Sequence, residues 1–148
     1  MPGRPLVRVL VLGLLGCVLA LAVVGAAAQG DEGVVLIAHP SVPRLDPTQA
    51  KRLYTGRAVE VGSVSVTVFN APPGSKARER FLSLVMGQDE ARYTAYWTVR
   101  KHIGKGTPPR ELPSAAEATA YVQSSPGAIA YVLPADLRPG LNVVLVRP

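Results

Sequence analysis

Residues 64–81 constrain this chain more than any other stretch. Val64, Val66 and Val68 alternate with Ser65, Thr67 and Phe69, a period of two in β-branched residues that reads as a strand. The strand runs into Pro72-Pro73-Gly74, and Ser75 then opens a helix whose apolar side continues through Phe81, Leu82 and Val85. A strand feeding a helix through a tight turn leaves the first N–H groups of that helix without internal acceptors, at the positive end of its dipole. Such a turn suits an oxyanion, and it is equally a plain way to reverse the chain in an α/β fold.

The remaining elements follow from local signals. Residues 34–38 form a short continuous apolar run that reads as a buried strand, closed by His39-Pro40. Asp46, Pro47 and Gln49 supply an N-cap, a first-turn proline and a capping-box partner, and the helix they start carries Ala50, Leu53 and Tyr54 before stopping near Gly56. The helix of residues 75–86 stops at Gly87, and Asp89 caps another that runs to about residue 103. Tyr93, Tyr96, Trp97 and Arg100 recur on it at helical spacing, a stripe that reads as core. Ser114 and Glu117 form a capping box for a helix to about residue 123. Small-residue strand 128–132 can approach a neighbouring backbone, and residues 141–146 make the final strand. The order β-α-β-α-α-α-β-β predicts an α/β sandwich with a mostly parallel or mixed sheet.

Arg4 and Arg8 precede an apolar run over residues 9–28 that ends in small residues, the pattern of a secretory signal cut after Ala28. The run also has the length of a membrane span, so an uncleaved anchor is the alternative, and Leu14-Leu15-Gly16-Cys17 loosely resembles a lipidation motif. The domain expectation is a signal peptide over residues 1–28, a linker over 29–33 and one lobe over 34–148. Cys17 is the only cysteine, so the cleaved chain has neither a disulfide nor a thiol nucleophile, and a periplasmic or secreted location suits it. Cleavage removes two of 16 basic residues and none of the 10 acids, leaving 14 against 10 and a net charge of +4. The basic cluster at Arg100, Lys101, His102 and Lys105 lacks interleaved aromatics and reads as a solvated helix end, which argues against nucleic acid as a partner.

Catalytic patterns are missing. His39 and His102 have no metal-ligand spacing around them, and there is no Gly-x-Ser-x-Gly elbow, phosphate-binding P-loop or dinucleotide fingerprint. Glu79 and Asp89 fall on predicted helix surfaces. The expectation is a protein that is not an enzyme and needs no cofactor or metal.

Three segments together resemble a known family. Tyr54-Thr55-Gly56-Arg57 at the end of a helix, the strand-turn-helix of residues 66–81, and Val122 followed by Pro126-Gly127-Ala128-Ile129-Ala130-Tyr131-Val132 are similar to motifs of phosphate ABC transporter substrate-binding proteins, in the same order. Those proteins close two lobes on phosphate. This chain resembles one contiguous lobe, as in single-lobe members of the periplasmic binding protein-like superfamily, which implies a three-layer α/β sandwich. In the phosphate-gripping loop Gly74 and Ser75 match the family's Gly-Ser, whereas Lys76 and Ala77 replace its Gly-Thr, and Ala71 and Pro73 stand in place of its Arg and Asp. The resemblance implies an anion site at Gly74, Ser75, Lys76 and Ala77. It further implies weak binding of phosphate or another small oxyanion, or an accessory role in uptake or signalling, with an ABC permease, a sensor or a second copy as partner. The membrane is a partner only if the signal stays uncleaved. The alternative is a ligand-free protein-interaction module that kept the fold.

Overall fold

The computed structural model describes residues 33–148, so the predicted signal, its cleavage site, Cys17 and most of the linker lie outside the described residues. Seven strands and four α-helices follow in the order β1 (Val34–Ala38), α1 (Pro47–Tyr54), β2 (Glu60–Val61), β3 (Val64–Ser65), β4 (Thr67–Asn70), α2 (Lys76–Phe81), α3 (Glu90–His102), β5 (Arg110–Glu111), α4 (Ala115–Ser124), β6 (Ala128–Val132) and β7 (Asn142–Arg147). The caps read from the sequence hold these helices. Asp46 accepts from Gln49 N at 2.8 Å while Gln49 Oε1 accepts from Asp46 N at 3.0 Å. Asp89 accepts from Arg92 N, and Ser114 from Glu117 N.

Five strands form one mixed sheet in the order β5-β4-β6-β1-β7. β4 is parallel to both β5 and β6, whereas β1 is antiparallel to β6 and to β7. All five residues of β1 and all five of β6 are buried, so each strand feeds two cores through its period of two. Val34, Leu36, Ile129 and Tyr131 face a core closed by Tyr54 of α1, Phe81 of α2 and Tyr93 and Trp97 of α3. Val35, Ile37, Ala128, Ala130 and Val132 face the opposite core, closed by Ala118 and Val122 of α4. The molecule is therefore a three-layer α/β sandwich, with α1, α2 and α3 on one face of the sheet and α4 on the other. No helix among the described residues is long and apolar enough to cross a membrane.

Two departures from the sequence reading have local causes. The strand of residues 64–69 is divided at Val66, whose N–H donates to Val59 O, and its first part leaves the main sheet to pair with β2. The main-sheet strand starts at Thr67, whose N–H donates to Gly127 O. The helix predicted for residues 75–86 is α-helical only to Phe81 and widens into a π-helical turn over Leu82–Met86, ending at Gly87 in the left-handed conformation.

Candidate functional site

The carboxyl ends of parallel strands β4 and β6 open onto a cavity of about 240 Å³. Asn70, Ala130 and Tyr131 line it from the sheet, Ser75, Lys76 and Ala77 from the start of α2, and Leu112, Pro113, Ser114, Ala115 and Ala118 from the start of α4 and the segment before it. Val132 at the end of β6, and Leu133 and Asp136 just beyond it, complete the lining. Both helices begin at this edge because each crossover returns the chain from the carboxyl end of one parallel strand. The crevice beyond those ends is where open α/β sheets take ligands.

The predicted site residues divide. Ser75, Lys76 and Ala77 share the cavity, but exposed Gly74 borders a separate depression with Glu79, Gln88, Asp89 and Glu90. Gly74 keeps φ at +81°, a conformation that shapes the turn rather than contributing to the cavity wall. Ser75 caps α2, its Oγ accepting from Arg78 N at 3.3 Å and donating to Pro72 O at 2.7 Å. The hydroxyl proton is thus given to the turn. Arg78 N is used by the cap, and Glu79 N by Ser75 O in the first intrahelical bond. Lys76 and Ala77 contribute the N–H groups that precede it.

Beneath the cavity lies a buried polar network that the sequence reading missed. Asn70 Nδ2 donates to the Tyr93 hydroxyl at 3.1 Å, and the Tyr131 hydroxyl donates to Asn70 Oδ1 at 3.2 Å while accepting from Ala71 N at 2.9 Å. Tyr93 donates to Tyr54 O, and Tyr54 to Phe69 O. Desolvation holds all three phenols neutral, with the pKa of Tyr54, Tyr93 and Tyr131 raised above the ordinary value near 10. Arg78, only 5 % exposed, stacks over Tyr93 and is gripped by Glu90 through two bonds of 2.6 and 2.8 Å and by Glu111 at 3.1 Å. Burial lowers its pKa, but the hydrogen bond and charge of Glu90 outweigh that and the net shift is upward. The same guanidinium donates to Ala71 O at 3.2 Å and is committed to the two carboxylates. Charged residues are seldom buried, so nothing in the linear pattern marked Arg78.

The other candidates have structural surroundings. His39 Nδ1 lies 2.8 Å from Ser41 Oγ in a turn, and His102 is exposed. Arg100 stacks over Tyr96 and Trp97 and donates to Lys105 O at 2.9 Å, closing the end of α3 instead of standing free in solvent. No three His, Cys, Asp or Glu side chains among the described residues gather to hold a metal.

No family model and no curated protein matches this chain. Solved structures do match. An ABC-type phosphate transport receptor from Vibrio cholerae superposes with a TM-score of 0.58 at 14% identity over 76% of this chain and 45% of that one. A structure from Clostridium perfringens, described as a phosphate ABC transporter substrate-binding protein with bound phosphate, superposes with a TM-score of 0.57 at 21% identity over 76% of this chain and 44% of that one. The fold is that of part of these receptors, and the chain spans less than half of their length.

Proposed function

We propose that this chain is an exported, non-enzymatic single-lobe binding protein, related in fold to phosphate receptors, that takes a small oxyanion weakly at the edge of its sheet. The observation that carries the reading is the convergence of two helix N-termini, at Ser75–Ala77 and Ser114–Ala115, on one cavity at the carboxyl ends of parallel strands. The positive ends of the two helix dipoles favour negative charge there, and Lys76 is part of the same wall. One lobe provides one side of a cleft, so a bound anion keeps much of its water and the affinity falls in the high micromolar range or weaker. The export signal over residues 1–28 gives this lobe a periplasmic or secreted setting, with an ABC permease, a sensor or a second copy as the component that closes the cleft. Mass spectrometry of the processed protein should find Gln29 at the N-terminus.

Calorimetric titration with phosphate and sulfate at fixed ionic strength tests the site. Saturable heat is expected, weakened by Lys76→Ala and more so at low salt, where charge is less screened. A second reading, a protein-interaction module without a ligand, draws on the Ser75 hydroxyl having given its proton to Pro72 O. It becomes the better account if neither anion produces heat or raises the melting temperature beyond an ionic-strength control.

A further inference from the structure

The surface where α1 and α3 end carries positive charge and exposed apolar area together. Tyr96 donates to Thr55 O at 2.7 Å, Arg100 Nη2 lies 3.5 Å from Gly56 O, and a Cβ at Gly56 would meet the Trp97 ring at 2.9 Å, so these two helix ends pack side by side. Residues 51–60 and 96–106, which build them, hold six lysines and arginines against one acid, Glu60. Arg100 is spent inside the fold, on Lys105 O and the rings of Tyr96 and Trp97. Lys51, Arg52, Arg57, Lys101 and Lys105 are exposed, and no carboxylate among the described residues pairs with any of the five. Helix dipoles favour cations at such ends, which accounts for Lys51, Arg52 and Lys101 but gives no reason for aliphatic residues among them. Val59 is 67% exposed, Val99 60% and Ile103 59%. Val99 and Ile103 stand at i+3 and i+7 from Tyr96, on the face of α3 that also carries Arg100, and Val59 lies three residues past Gly56, within about 11 Å of chain. Among the described residues the other large apolar side chain so exposed is Val146 on β7. Single apolar residues scattered over a surface need no explanation, but three gathered at the most basic end of the fold do.

We propose that this end of the molecule docks on a membrane bearing anionic phospholipid, the five cations lying at the headgroups and Val59, Val99 and Ile103 entering the boundary with the acyl chains. Charge complementarity and the aliphatic residues together select this partner. A nucleic acid would use the cations and stack its bases on aromatic rings, leaving the aliphatic side chains in water. The assignment uses no residue of the cavity, so it is independent of the anion reading, and it makes the membrane a partner of the cleaved chain too. The processed chain from Gln29, which contains every described residue, is floated with vesicles of phosphatidylcholine alone and with vesicles one-third phosphatidylglycerol. Binding to the anionic vesicles should be at least about tenfold stronger, and half-molar sodium chloride should remove most of that difference. Arg57→Glu and Lys101→Glu should each weaken it by about fivefold or more, whereas Arg44→Glu, the same charge change at an exposed site before the opposite end of α1, should weaken it by less than about twofold. Ile103→Ser, which alters no charge, should weaken it by about fivefold. Thermal melts matching the unmutated protein separate these losses from misfolding. Equal binding to both vesicle types, or binding to neither, would overturn the proposal. A loss from Arg44→Glu as large as that from Arg57→Glu would also overturn it by tracing the attraction to net charge, and binding of a single-stranded oligonucleotide without vesicle binding would overturn it in favour of nucleic acid.

Discussion

Arg78 and its carboxylates show how one ion cluster can have unequal members. The guanidinium side chain is 6% exposed, whereas those of Glu90 and Glu111 are 42% and 48% exposed, so the carboxylates can recover water that the arginine cannot. Glu90→Ala leaves the buried cation with Glu111 as its one carboxylate and should cost about 2 kcal/mol, while Arg78→Met releases both acids to solvent and should cost about 1 kcal/mol or less. Urea denaturation of the two variants checks the order, and an Arg78→Met protein less stable than Glu90→Ala would contradict it. At Ser75 the expectation is simpler, because the cap to Arg78 N forms whether or not a ligand is present. Ser75→Ala should lower stability by about 1 kcal/mol in the same measurement, with or without phosphate.

At the scale of elements, the turn into β6 depends on a glycine that touches another strand. Gly127 has φ of +75°, and a Cβ there would lie 2.2 Å from Ser65 O, a backbone atom that cannot move aside without disturbing β3. Gly74 has φ of +81° with nothing within 4 Å. Gly127→Ala should therefore cost more than about 3 kcal/mol and Gly74→Ala only about 1 kcal/mol, the strain of a left-handed alanine alone, as read by thermal melts. The sequence reading put a close backbone approach in the small-residue strand 128–132, and the structure has it one residue earlier, at Gly127, whereas all four helices were legible because caps and stops are written within a few residues. β5 was not legible. Arg110 and Glu111 have no apolar period, and they are a strand only because Phe69 and Asn70 pair with them. The β2–β3 hairpin did leave a signal, Gly62-Ser63 between Val61 and Val64, which the longer alternation of residues 64–69 concealed. Residues 75–77 of the cavity lining were singled out from the sequence, but Ser114 and Asp136 join them only through the crossover that places β6 beside β4.

Across the whole molecule, the sheet separates two cores, and the one under α1, α2 and α3 has three phenols at its centre. Tyr54, Phe81 and Tyr131 contact one another through rings 4.1 to 5.8 Å apart, and the hydroxyls of Tyr54, Tyr93 and Tyr131 belong to the network beneath the cavity. Because burial raises these three pKa values, the folded chain keeps its phenol protons at a pH where the unfolded chain, with an ordinary value near 10, has released them. The unfolded state then binds fewer protons than the native state, so stability falls as pH rises. The stabilisation from these phenols is complete below pH 10 and is lost above it, by up to about 1.4 kcal/mol per pH unit for each tyrosine. Denaturation in guanidinium at pH 9, 10 and 11 should show that loss, and Tyr131→Phe, which keeps the ring stacked on Phe81 while removing one titrating group, should make the decline shallower at some cost in stability at pH 7. Absorbance at 295 nm followed through alkaline titration supplies an independent reading, since these three phenolates should appear together with unfolding. Ionisation of all five tyrosines near pH 10 with the fold intact would refute the buried network that joins Asn70 to these phenols.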